Sequence, residues 1–228
     1  MTEERQEPLE ILEAKPEVAA EISFAAIALA VAMLFVFAWI ADKVAHSATI
    51  RFDNTIREYV HQFASPAVTV CMRTLSIIGG QVLTALSVLL PLLLWWKGAR
   101  RAALWLAVTT VGALVLDLAL KYAFHRQRPI AFFGGSPSTF SFPSGHSLFS
   151  FCFYGTLAGL MATRTPSKPM KALIYLLAAL LIFGIGLSRI YLGVHYPTDV
   201  IAGYLAAGVW VMTIVMLDRW RRRRRAAR

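Results

Sequence analysis

Three polar clusters interrupt otherwise apolar sequence between Lys121 and Asp199. They read K-x6-R-P from Lys121 through Arg128 to Pro129, P-S-G-H from Pro143 through Ser144 and Gly145 to His146, and S-R-x5-H-x3-D from Ser188 and Arg189 through His195 to Asp199. Lys121, Arg128 and Arg189 fall in segments that read as membrane spans or their edges. Charge at that depth is costly without a counter-charge, so such groups are functional candidates. Three cations near two histidines and one acid suit an anionic ligand with several oxygens, and phosphate fits. An arginine fork takes two phosphate oxygens at once, while lysine acts as a point charge. The Ser144-Gly145 pair can turn backbone N–H groups toward an anion, because glycine permits close approach. A helix starting near His146 would add its N-terminal dipole.

His195 and Asp199 are four apart, so on a helical turn the carboxylate can hold one ring nitrogen and leave the other free as a nucleophile. His146 has no acid at matching spacing and suits a general acid that protonates a leaving oxygen. Asp117 precedes Lys121 by four residues on the same helix face. It either holds the lysine toward a substrate or is a carboxylate buried for helix packing. A lone basic residue near a span end is usually an interfacial anchor, so His46, His61, His125 and Arg126 receive no role. A metal centre is the competing reading of a His/Asp cluster. No Cys or Glu stands beside these histidines and the local charge is positive, which favours an anion over a divalent cation. No metal and no cofactor is expected.

In order and spacing the three motifs resemble the signature of the type 2 phosphatidic acid phosphatase (PAP2) superfamily, over roughly residues 76–217. That superfamily includes membrane lipid phosphatases, glucose-6-phosphatase and soluble vanadium haloperoxidases. The resemblance implies that His195 forms a phosphohistidine, Asp199 orients it and His146 protonates the leaving group. It also implies that Lys121, Arg128, Ser144, Gly145 and Arg189 bind the phosphoryl oxygens. Pro129, Pro143 and Ser188 would support them, as would Asp117 on the strength of its spacing to Lys121.

The elements that must position these residues are membrane helices. Hydrophobic residues make up 57% of the 228 and come in long runs, which excludes an ordinary soluble domain. The expected fold is all-α, a single domain with six transmembrane helices over residues 22–217. The spans are placed at Ile22 to Ile40, Gln81 to Trp96, Ala102 to Phe124, Ser147 to Ala162, Met170 to Leu187 and Pro197 to Leu217. Gly79-Gly80 is expected to break the run before the second span, and Pro91 to kink it. Between the first two spans, Ile56, Tyr59, Val60 and Phe63 share one face of a helix, which predicts an amphipathic segment at the membrane surface. The stretch from Ile130 to Phe142, with Gly134, Gly135 and Pro137, reads as an exposed flexible loop.

A net charge of +10 could suggest nucleic acid, but its distribution argues otherwise. Seven of the 13 acids lie in residues 1–21, an acidic tail unlike a secretory leader. Seven of the 23 bases lie in residues 218–228, and an arginine run after a span reads as a contact with anionic headgroups. Cys71 and Cys152 have no ligand spacing and read as buried small apolar residues.

Lys97, Arg100 and Arg101, then Arg164, Lys168 and Lys171, then the arginine tail, mark alternate ends of the spans. By the positive-inside rule both termini face the cytoplasm. From Arg101 to Lys121 is ~30 Å of helix, about one bilayer core; the same measure puts all three motifs at the outer edge. The expected function is a phosphatase of a bacterial inner membrane. It would act on undecaprenyl diphosphate, phosphatidylglycerol phosphate or phosphatidic acid, between walls formed by spans three to six. A phosphotransferase using a polyprenyl diphosphate is the alternative within enzymes. A non-catalytic phospholipid-binding or transport protein would need only the cations.

Overall fold

The computed structural model describes residues 16–135 and 138–226, and over these its regular structure is all helical, with no strand. The order is α1 (Pro16–Ala45), α2 (Ile50–His61), α3 (Pro66–Ile77), a π-helical turn (Ile78–Val82), α4 (Leu83–Trp96), α5 (Arg100–Phe124), α6 (Gly145–Thr163), α7 (Lys168–Tyr191) and α8 (Pro197–Ala226). Ser65 and Ser167 cap α3 and α7 by accepting the N–H of Val68 and Met170, each with a proline in the first helical turn.

Among the described residues, five helical stretches are long and apolar enough to cross a membrane: Phe24–Ala45, Pro66–Trp96, Arg100–Phe124, Lys168–Tyr191 and Pro197–Arg222. Their outer faces leave Phe35, Trp96, Leu180 and Phe183 exposed, the surface of a protein solvated by lipid. α6 is different. It packs against α5, α7 and α8 at the centre of the bundle, and Ser147, Ser150 and Thr156 are buried along it. These hydroxyls and His146 lower its hydropathy, while burial inside the bundle removes the need for an all-apolar surface.

Small residues set the closest approaches, as in membrane bundles generally. A methyl on Gly203 of α8 would stand 2.8 Å from the Ser144 carbonyl oxygen, and one on Gly112 of α5 would enter the Trp210 ring. The α6 core of Leu148, Cys152 and Phe153 is fully buried. Arg101 at the start of α5 reaches Asp218 near the end of α8 at 2.6 Å, tying two of the basic ends together.

Four expectations change. Gly79-Gly80 does not end a helix: the π-helical turn carries the chain through it, so the second span begins at Pro66 and runs 31 residues. A π turn accommodates an extra residue without loss of helical direction and is common at functional sites. α2 is helical as expected, yet its buried side chains are the polar Asp53 and Arg57, while Tyr59 and Phe63 are exposed. The stretch from Ile130 to Phe142 is not exposed throughout, because Ser141 and Phe142 are fully buried. Cys71 is exposed, and only Cys152 is buried. The acidic segment lies largely outside the described residues, as do Ser136, Pro137, Ala227 and Arg228.

Candidate active site

The motif residues converge where the last turn of α5, the first of α6, the last of α7 and the first of α8 meet. Asp117, Lys121, Arg128, Gly145, His146, Arg189 and His195 line one cleft of about 590 Å³.

His195 sits in the turn between α7 and α8, 2% exposed. Arg128 donates from Nη1 to its Nε2 at 2.8 Å. A guanidinium has no acceptor, so Nε2 carries the lone pair and Nδ1 the hydrogen. Nδ1 faces Asp199 Oδ2 at 3.4 Å, a long contact of the kind that tightens when a ligand arrives. Burial draws the His195 ring down to about 3, against the pull of the Asp199 hydrogen bond, so the imidazole is neutral at physiological pH.

Lys121 donates to Asp117 and, at 3.1 Å, to the Pro143 carbonyl. Gly145 permits this: a methyl there would stand 3.2 Å from Asp117 Oδ1 and 3.4 Å from Lys121 Nζ. Arg128 spends most of its fork on the segment before α6, reaching the Thr139 carbonyl at 2.7 Å, the Thr139 hydroxyl at 2.9 Å and the Phe140 carbonyl at 3.2 Å. Arg189 donates to the Ser76 hydroxyl, and its Nε is buried without a partner among the described residues. An unpartnered guanidinium N–H in a basic cleft is a donor in want of an anion. Helix α6 starts at Gly145, so the N–H groups of Gly145, His146 and Ser147 are free of intrahelical bonds at its positive end.

Ser144 departs from the expected placement. It is fully buried off the cleft, and its N–H donates to the Asp199 carbonyl at 2.9 Å. Its backbone therefore ties α8 to α6 instead of facing the cavity. Pro143 serves through its carbonyl; Ser188 is buried and donates to the Ile185 carbonyl at 2.6 Å. Pro129 is buried beside Arg128.

Two contributors were not legible in the motifs. Ser141 donates to Asp199 Oδ2, and Arg126 donates to Asp199 Oδ1 at 2.5 Å. Arg126 is 9% exposed, so the anchoring role usual for such a residue does not apply. Only its place two residues before Arg128 could have drawn notice.

A model of the PAP2 superfamily matches residues 102–224, more than half of the chain and all three motifs. The chain belongs to the PAP2 superfamily. This PAP2 chain is 37% identical over 91 residues to phosphatidylglycerophosphatase B of Bacillus subtilis, covering 40% of this chain and 45% of that protein. It is 32% identical over 126 residues to an undecaprenyl-diphosphatase of Sulfolobus acidocaldarius, covering 53% and 56%. It thus spans about half the length of these curated relatives. The crystal structure of a transmembrane PAP2-type phosphatidylglycerolphosphate phosphatase from Bacillus subtilis superposes with a TM-score of 0.75 at 25% identity, over 84% of this chain and 96% of that one. The PAP2 fold and a multi-pass membrane setting are therefore established for this chain.

The cleft does not stop at the cations. It continues between Leu83, Thr84, Ser87 and Val88 of α4 and Thr110, Val111, Leu114 and Leu118 of α5. From Lys121 back to Thr110 is about 16 Å along α5 at the helical rise. The second span, not only spans three to six, therefore forms a wall. On that side Val88, Val111, Leu114 and Leu118 are all more than two-fifths exposed.

Proposed function

We propose that this PAP2 protein is a membrane phosphatase that hydrolyses a phosphorylated lipid through a phosphohistidine on His195. The observation that carries the reading is the continuity of a cationic, two-histidine cleft with an apolar groove open toward the bilayer. Lys121, Arg128 and Arg189, with the N-terminus of α6, would take the phosphoryl oxygens, the phosphate assuming the Arg128 bond now made to Nε2. The Nε2 lone pair attacks phosphorus as the bond to the leaving oxygen breaks, and His146 gives that oxygen its proton. Asp199 keeps the Nδ1 hydrogen in place while positive charge builds on the ring. Water, losing a proton to His146, then attacks phosphorus, breaks the P–N bond and releases phosphate. Charge on the transferred group is met by side chains, so the step requires no bound metal.

With six crossings both termini lie on one side, and the basic loops argue that this side is the cytoplasm and that the cleft is at the outer face; the α6 length of 19 residues supports that count. The lipid's chains would stay in the bilayer and rest in the α4–α5 groove, while its phosphate turns in to the cations. A diphosphate suits three cations better than a monoester, which ranks undecaprenyl diphosphate first, followed by phosphatidylglycerol phosphate and phosphatidic acid.

The test is phosphate release by the purified protein from these three lipids and from glucose 6-phosphate, in one detergent with EDTA present. Lipids should exceed glucose 6-phosphate in kcat/KM. His195→Ala should abolish turnover, and His146→Ala should slow it by ~10²–10⁴. Turnover by His195→Ala, or dependence on added magnesium, would refute the mechanism.

A further inference from the structure

Behind His195, away from the cleft, lies a second charge cluster built on Asp199 and on two residues that no motif specifies, Arg126 and Asp53. Asp53 of α2 is fully buried, as is Asp199, and Arg126 lies between them. Arg126 divides its two terminal nitrogens. Nη1 reaches Asp199 Oδ1 at 2.5 Å and Thr198 Oγ1 at 2.9 Å; Nη2 reaches Asp53 Oδ2 at 2.7 Å and Thr49 Oγ1 at 3.0 Å. Its guanidinium lies over the Tyr196 ring at 4.1 Å. Asp53 in turn accepts the Thr198 N–H at 3.0 Å and the Thr198 hydroxyl at 2.8 Å, an acid at the positive end of α8.

We propose that Arg126 and Asp53 are positioning residues for the His195–Asp199 pair, joining the surface helix α2 to the nucleophile. A buried charge survives only when it is paired and hydrogen-bonded, and here one cation is shared by two acids. Asp53 fixes the plane of the guanidinium, and the guanidinium fixes Asp199 Oδ1. Ser141 and the Tyr196 N–H, at 2.9 Å, hold Oδ2 where it faces the imidazole. Sharing also sets charge. Asp199 is only part-neutralised, so it keeps enough negative character to support the cationic ring that forms on phosphorylation. The polar inward face of α2 follows from this: the helix is folded against the bundle by its charges, and its exposed apolar residues face the membrane.

The two residues have opposite charge, which separates positioning from packing. Removing the positive charge of Arg126 leaves the two acids with only Arg57 and Arg128 as neighbouring cations, neither bonded to them, so His195 takes up its proton at higher pH. Removing the negative charge of Asp53 gives Arg126 wholly to Asp199, so His195 takes up its proton at lower pH. The other charged or titratable groups facing His195 are Arg128 before α6, His146 on α6 and Arg189 on α7, with the Lys121–Asp117 pair of α5 farther along the cleft. Neither substitution alters them.

This inference rests on the nucleophile assigned to His195, and its test has an arm independent of turnover. The full chain is labelled with [15N]histidine in detergent, and the His195 resonances are assigned by their loss in His195→Gln. Arg126→Gln should raise the His195 protonation midpoint by about one pH unit or more. Asp53→Asn should not raise it, and Arg126→Lys should hold it near the wild-type value. With phosphatidic acid in mixed micelles as the probe, Arg126→Gln and Asp53→Asn should each lower kcat by about 10-fold or more with little change in KM. Equal upward shifts, no shift in Arg126→Gln, or wild-type kcat in Asp53→Asn would overturn the proposal. If Arg126→Gln does not fold, Asp53→Asn decides through its kcat and the direction of its midpoint. A wild type that releases no phosphate refutes the phosphatase reading, and the NMR titration still decides this one.

Discussion

Gly80 and His146 meet across the cleft: a methyl on Gly80 would stand 2.9 Å from His146 Nε2. The π-helical turn brings this glycine against the ring, at the nitrogen that the proposed mechanism has protonate the leaving oxygen. The atom that would have to yield is the far end of a side chain, so Gly80→Ala should keep its fold and displace the acid. Displacement on the ångström scale costs up to ~10² in rate. Gly80→Ala should therefore lose at least about 10-fold in kcat with an unchanged thermal midpoint. Gly159→Ala is the control, since a methyl there meets nothing within 4 Å. A fully active Gly80→Ala protein would remove the glycine from the leaving-group site.

Arg128 links His195 to the segment before α6, so its replacement by lysine should be costly. Lysine keeps the charge but cannot reach the Thr139 carbonyl, the Val194 carbonyl and a phosphate together. Loss of one charge-assisted bond, ~1.5–3 kcal/mol, corresponds to roughly a 10- to 100-fold fall in kcat/KM for Arg128→Lys. Steady-state kinetics on phosphatidic acid micelles would show it, and activity within two-fold of wild type (about 0.4 kcal/mol) would contradict the assignment.

Asp117 is more than a packing carboxylate if Lys121 depends on it. The pair is buried, with Gly145 leaving room for it. Asp117→Asn should lower kcat/KM by about 10-fold or more while shifting the thermal midpoint by only a few degrees. Equal activity with a lowered midpoint would leave only packing.

The buried His195 also predicts how the fold responds to acid. Its ring is drawn down to about 3 in the folded protein against about 6.5 in an unfolded chain. Between those values the unfolded chain holds a proton that the folded one does not, so stability falls as pH drops below about 6.5 and this loss ends near the folded value. His195→Gln should lose less of its thermal midpoint than wild type between pH 7 and pH 4.5. Parallel losses would mean the histidine is not neutral when folded.

Chain-length dependence tests the groove. Val111, 60% exposed, lines the cleft between α4 and α5. Val111→Trp should obstruct bound acyl or prenyl chains, each buried methylene being worth ~0.8 kcal/mol. Its kcat/KM should fall for long-chain phosphatidic acid and stay within about two-fold for glucose 6-phosphate. Equal losses on both would place the lipid chains elsewhere.

The primary structure by itself determined the helical membrane class, the starts of α5 through α8 to within a few residues, and most of the charged residues that converge on the cleft. Each of those is written in local periodicity or short-range spacing: long apolar runs, or His195 and Asp199 four residues apart across the start of α8. The Lys121–Asp117 contact was readable for the same reason. Tertiary structure decided what spacing cannot encode. Arg126 and Asp53 are 73 residues apart, and nothing local distinguishes a buried shared cation from a surface anchor. α2 was legible as amphipathic, but which face turns inward depends on partners from α8 and the segment after α5. Gly79-Gly80 looked like a break because glycine weakens isolated helices, whereas packing against His146 and Ile185 holds the turn in place. Ser144 shared a motif with Gly145 and His146, yet the close passage of Gly203 turned its N–H to the Asp199 carbonyl. Local physics chose the groups, and the packing of distant helices chose which of them face the cleft.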